Sequence, residues 1–88
     1  MSVAYQLEYV PDAVTDLAQL DPPVARRILD KLQWLAANFD VIRHEPLAGE
    51  WSGFYKLRVG DYRAIYTANR TQRIVTVHVI RHRRDVYQ

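Results

Sequence analysis

The 88-residue chain contains no cysteine. That excludes a disulfide framework and any thiolate metal site, and it suits a reducing compartment such as the cytoplasm. Long apolar runs are missing too: none approaches the ~20 residues needed to cross a bilayer. The opening MSVAYQLEYV has no basic segment followed by an apolar one, so it is not expected to act as a signal peptide. Glycine and proline are scarce, at three and four residues. No repeat, linker or low-complexity tract divides the chain, so a single domain over residues 1–88 with a thin core is expected. His78, His82 and the carboxylates show no metal-ligand spacing, and neither a metal nor another cofactor is expected. His44 stands alone in a loop and reads as solvated.

What the sequence does have is an uneven charge distribution. Residues 1–49 carry four cations against seven anions, and residues 50–88 carry eight cations against three anions. A basic C-terminal half points to a polyanionic partner, either nucleic acid or an acidic protein.

Periodicity gives the element order. Val3, Tyr5, Leu7 and Tyr9 alternate with more polar residues, which predicts a strand over Val3–Val10. Pro11 opens a helix carrying Ala13, Val14, Leu17 and Leu20 at helical spacing, with Asp12 and Asp16 near its positive end. Asp21-Pro22 predicts the start of a second helix, with the carboxylate as N-cap. That helix runs to about Asn38 with Val24, Ile28, Leu32, Leu35 and Phe39 as its apolar stripe. One loop residue separates the two helices, making a helical hairpin. After an irregular stretch with Pro46, Gly49 and Gly53, which Trp51 is expected to anchor over the core edge, come three strands. They span about Phe54–Val59, Tyr62–Ala68 and Arg73–Arg81. The order β-α-α-β-β-β predicts an α+β fold: an N-terminal strand, a helical hairpin and a three-stranded antiparallel meander. The helices cover one face of a mainly antiparallel sheet.

Register places the charges. Gly60-Asp61 suits a two-residue type II′ hairpin, which pairs Val59 with Tyr62, Arg58 with Arg63 and Lys56 with Ile65. Tyr55, Leu57, Val59, Tyr62, Ala64 and Tyr66 then face the helices, while Lys56, Arg58, Arg63 and Ile65 face away. A four-residue loop Asn69–Gln72 would pair Tyr66 with Val75 and Tyr62 with Val79, putting His78 opposite Arg63. Arg81 changes face by strict alternation. Like charges directly opposed in a sheet cost roughly 0.2–1 kcal/mol. Only Asp61 and Glu50 lie close enough in sequence to offset them. A face that gathers Lys56, Arg58, Arg63 and His78, beside the tail residues Arg81, His82, Arg83, Arg84 and Tyr87, suits an anion such as phosphate. Asp85 is expected only to balance Arg83 or Arg84.

The order LAGEWSGFYKLRVGDYRAIY followed by VHVIRHRRDVY resembles the RelE/ParE superfamily of type II toxins, and more closely its RelE branch. The resemblance spans the whole chain. It implies a cytoplasmic toxin held by a cognate antitoxin protein, with no membrane association. It also implies a ribosome-dependent, metal-independent endoribonuclease, an mRNA interferase. Such a toxin binds the ribosomal A site and drives attack of a ribose 2′-OH on the adjacent phosphate of mRNA, inhibiting translation. By resemblance the catalytic set is Lys56, Arg58, Arg63, Arg83 and Tyr87, with Arg81 as a rival to Arg83. Arg81, His82, Arg84 and His78 are the accompanying RNA-binding residues. Arg58 stands where some members carry a second lysine, and arginine is a poor base. Lys56, His82, His78 and Tyr87 therefore remain the candidates for general base. The rival readings are a ParE-like poison of DNA gyrase and a homologue that only binds its antitoxin.

Overall fold

The computed structural model describes residues 3–85. Strand β1 is Gln6–Tyr9, helix α1 Pro11–Ala18, helix α2 Pro22–Ala37 and strand β2 Glu45–Pro46. A 3-10 turn at Gly49–Trp51 precedes β3 (Tyr55–Val59), β4 (Tyr62–Asn69) and β5 (Ile74–His82). The fold is α+β, with two helices against a five-stranded mixed sheet of order β1-β5-β4-β3-β2. β1 runs parallel to β5, and the other pairs are antiparallel.

The expected meander is therefore the middle of a wider sheet. β2 adds an edge strand of two residues, Glu45 opposite Lys56 and Pro46 opposite Tyr55. So short a strand, with a proline in it, has no period to read. β1 is shorter than its alternation suggested: the Tyr5 N–H donates to the Ala36 carbonyl of α2, not to a strand.

Helix boundaries follow the prolines. Pro11 and Pro22 each open a helix, as their missing N–H groups allow. Asp21 makes no side-chain capping bond; its carbonyl instead accepts Val24 N and Ala25 N. The loop between the helices has three residues, 19–21, not one. Asp16 lies toward the C-terminal end of α1, so the helix-dipole argument holds only for Asp12. Ile28, Leu32 and Leu35 of α2, with Ala13 of α1 and Phe39, form a core against Val59, Ala64, Tyr66, Val75, Val77 and Ile80 of the sheet.

The β3–β4 hairpin has the expected pairing throughout, from Val59–Tyr62 to Tyr55–Tyr66. Gly60 has φ of 60°, and Asp61 is not among the positive-φ residues, as a type II′ turn requires.

The β4–β5 pairing differs from expectation twice. The loop is Arg70–Arg73, closed by the Asn69 side-chain oxygen, which accepts Gln72 N at 2.9 Å. Arg73 sits there at φ 58°. Tyr66 thus pairs with Val77, not Val75, a slip that keeps every face unchanged. A β-bulge follows, because Ile65 pairs with Val79 and leaves His78 as the extra residue. The bulge rephases the strand. Ile80, 4% exposed, enters the core in the place expected for Val79. Arg81 pairs with Arg63, where His78 was expected, and His82 pairs with Tyr62 on the helix side.

Candidate functional site

The pairing sets Arg58, Arg63 and Arg81 in one row across β3, β4 and β5. At about 4.8 Å between strands, the row is about 10 Å wide. It lies on the sheet face away from the helices, with Lys56 beside it. Among the described residues, carboxylates stand only at the two ends. Glu45 Oε2 is 3.1 Å from Lys56 Nζ and 3.7 Å from Arg58 Nη2. Asp16 Oδ2 is 2.6 Å from Arg81 Nη1. Arg63, in the middle, donates to the carbonyls of Gly60 and Tyr62 at 3.3 and 3.0 Å. Among the described residues no carboxylate pairs with it.

Neither carboxylate was placed at the row by the sequence pattern. Glu45 meets Lys56 only because the short β2 strand folds back onto β3. The Lys56 side chain is 13% exposed and Glu45 49%, so the lysine is the more enclosed partner. Asp16 is 65 positions from Arg81 and reaches it because α1 runs along the part of β5 that β1 leaves unpaired. The same Asp16 oxygen accepts the Ile80 N–H at 3.0 Å, satisfying a donor on that strand edge.

The tail residues divide. Arg83 pairs with Asp61, Nε to Oδ1 at 3.8 Å, and its N–H donates to the Asp61 carbonyl at 2.7 Å. The balancing role expected of Asp85 thus falls to Asp61; Asp85 N donates to His82 O. Arg84 is exposed. His82 packs edge-on against Tyr62 at 5.3 Å, on the opposite side of the sheet from Arg63. It therefore does not share the face of Arg58 and Arg63. Tyr87 lies outside the described residues. Arg70 and Arg73, two more cations of the basic half, stand over the Phe39 and Tyr5 rings near the β4–β5 loop.

His78, the bulge residue, bonds Thr67 Oγ1 through Nε2 at 2.8 Å and packs edge-on against Phe54 at 5.1 Å. Trp51 joins Phe54 at 5.3 Å, so it belongs to this small aromatic group and not to the helix-side core. Burial lowers the His78 pKa from 6.5. The native protein then binds fewer protons than the unfolded chain just below that pH. Stability should fall as pH drops from 6.5 toward the native pKa, and rise with pH across that window. His78→Gln, which keeps a partner for Thr67, is expected to flatten this slope in urea unfolding between about pH 5 and 7.

His44 is not a solvated loop residue. Nδ1 is 2.6 Å from the Tyr66 hydroxyl and Nε2 is 2.8 Å from the Phe39 carbonyl, with the ring 3.9 Å from that of Phe39. Burial pushes the Tyr66 phenol well above its ordinary range, so the hydroxyl remains a donor. The Phe39 carbonyl can only accept, so His44 donates to it from Nε2–H. This bridge ties the segment before Glu45 to the core. His44→Ala would orphan a buried hydroxyl and a carbonyl and lose the ring contact. A loss of about 2–4 kcal/mol is expected, measured by urea unfolding.

The arrangement can hold a phosphate group by arginine contacts with a half-exposed carboxylate alongside. Among the described residues, no three His, Asp or Glu side chains cluster closely enough to hold a metal ion, and no helix is long and apolar enough to cross a membrane.

Residues 7–87 match the family model of the ParE toxin of the type II toxin-antitoxin system parDE. No curated protein matches the chain. Among solved structures, the toxin-antitoxin complex RelBE2 from Mycobacterium tuberculosis matches with a TM-score of 0.84 at 24% identity, covering 97% of this chain and 98% of that one. The archaeal RelE-RelB complex from Pyrococcus horikoshii matches with a TM-score of 0.73 at 24% identity, covering 96% and 100%. A mutant of the E. coli toxin RelE in the free state matches with a TM-score of 0.71 at 25% identity, covering 89% and 82%. By its family match and its fold, the chain belongs to the RelE/ParE superfamily of type II toxin-antitoxin toxins.

Proposed function

We propose that this toxin is an endoribonuclease that cuts mRNA in the ribosomal A site. The observation that carries the reading is the arginine row. Arg63 stands opposite Arg58 at the centre of the row, a like-charge pair that costs stability, and among the described residues its side chain bonds only the Gly60 and Tyr62 carbonyls. A phosphodiester placed there supplies the missing anion. In the reaction a ribose 2′-oxygen attacks the adjacent phosphorus. The bond to the 5′-oxygen breaks and that oxygen takes a proton from water, giving a 2′,3′-cyclic phosphate and a 5′-OH end. Arg58 and Arg63 stabilise the charge that builds on the phosphoryl oxygens.

The general base is Glu45. Arg58 keeps its proton, and the Lys56 ammonium is engaged by Glu45. His78 is turned to Thr67 and Phe54, and His82 is on the other side of the sheet. A half-exposed carboxylate beside Lys56 and Arg58 is placed to take the 2′-OH proton. Lys56 then orients that carboxylate. Arg83 and Tyr87 stay in the catalytic set that family resemblance implies. The partner that restrains the toxin is a cognate antitoxin, as RelB is for the relatives crystallised with it.

The test is a reaction of purified toxin with ribosomes and a defined mRNA. Codon-positioned cuts ending in a 2′,3′-cyclic phosphate are expected. Trapped gyrase–DNA breaks with intact mRNA would replace this reading with the ParE-type one, which the family-model match favours. Neither activity would leave a protein that only binds its antitoxin.

A further inference from the structure

We infer that Asp16 is a positioning residue that withholds Arg81 from the phosphate-binding face. The inference rests on the reading that this face binds RNA. By register Arg81 belongs to the row with Arg58 and Arg63. Its guanidinium is elsewhere: Nη1 lies 2.6 Å from Asp16 Oδ2 and 3.0 Å from the Ile80 carbonyl, folded back along the outer edge of β5.

Among the described residues Arg81 is the one cation that Asp16 pairs with. The structural task of Asp16 is to accept the Ile80 N–H, left unpaired where the chain turns from β1 into α1. Asparagine or serine would accept that bond equally well. A carboxylate is needed only to hold a cation. Asp16 is also the more enclosed member of the pair, its side chain 18% exposed against 44% for Arg81. The fixed partner is thus the carboxylate, and the arginine is the group that swings. A phosphate on the row must compete with a charge-assisted bond already made. The row therefore engages RNA through fewer arginines than its register supplies. Because Asp16 is carried by α1, the position of that helix sets whether Arg81 is withheld.

The test is a salt titration of binding to a 2′-O-methyl oligouridylate, which cannot be cleaved by 2′-OH attack. Asp16→Asn keeps the acceptor for Ile80 N and removes the charge. It is expected to bind more tightly at low salt, with the slope of log Kobs against log salt steeper by about 0.7, one added phosphate contact on a single strand. Adding Arg81→Gln to Asp16→Asn should remove that gain. Asp16→Ser, which also offers an acceptor, should behave like Asp16→Asn and stands in for it if the asparagine variant does not fold. A folded Asp16 variant with an unchanged slope overturns the inference, as does a gain that survives Arg81→Gln. Arg63→Ala separates the two levels of the argument. If it leaves oligouridylate binding unaltered, the RNA-binding reading of the face fails. If it weakens binding while the Asp16 variants change nothing, only the withholding of Arg81 fails.

Discussion

Arg63→Ala is expected to lower mRNA cleavage by on the order of 10²–10³-fold, the cost of deleting one preorganised donor to transition-state charge. It is expected to do so without loss of stability. Arg63 gives the fold little that alanine would forfeit. Its guanidinium bonds two carbonyls of its own hairpin turn, Gly60 and Tyr62, and no carboxylate among the described residues. It also opposes Arg58 on one side and Arg81 on the other. Relief of the opposed Arg58–Arg63 pair is worth roughly 0.2–1 kcal/mol, while Arg81 is already paired with Asp16. Urea unfolding of the variant should therefore match or exceed that of the native protein. A residue whose removal spares or raises stability while abolishing activity is retained for function. A variant that lost stability by several kcal/mol would show instead that Arg63 is structural. A stable variant that cut mRNA at the native rate would remove the row from the mechanism.

The features legible in the sequence are those set by neighbours in the chain. Gly60-Asp61 has room for only one hairpin geometry, so the pairing of Lys56, Arg58 and Arg63 could be counted outward from the turn. The stripe of α2 is visible because Ile28, Leu32 and Leu35 repeat at helical spacing and are all buried, with Phe39 continuing it just past the helix end. Counting failed where one residue was added. The bulge at His78 is invisible to a period-2 argument, yet it moves Arg81 into the row and His82 out of it. The remaining misses come from contacts between distant segments. Nothing local distinguishes Asp16 from a helix-surface acid, His44 from a solvated loop histidine or Glu45 from any other loop carboxylate. Each acquires its partner only when α1, the segment after α2 and β2 dock on the sheet. The placement of Lys56, Arg58 and Arg63 was thus readable from sequence, and that of Arg81, Asp16 and Glu45 was not.

Glu45 carries the second large effect, and the two roles available to it predict opposite results. As the base, it must be free to take the 2′-OH proton, and Glu45→Gln should lower the cleavage rate by on the order of 10²–10⁴-fold. As a mere counter-charge to Lys56, its removal would take one negative charge from beside that ammonium, paired with it at 3.1 Å, and cleavage should rise. Binding does not separate these cases. In both, the loss of one negative charge beside Lys56 and Arg58 strengthens attraction for a phosphate, so the affinity for an uncleavable RNA should increase. The rate does separate them. Tighter binding together with slower cleavage is the expected result, a fall in kcat larger than that in kcat/KM, and it identifies an interaction that matters only as the proton moves. Faster cleavage with tighter binding would transfer the role of base to Lys56. The comparison with Arg63→Ala then becomes a check on the whole site. That variant should lose both affinity and rate, since a phosphate-binding arginine acts in the ground state and in the transition state, whereas a base acts only in the second.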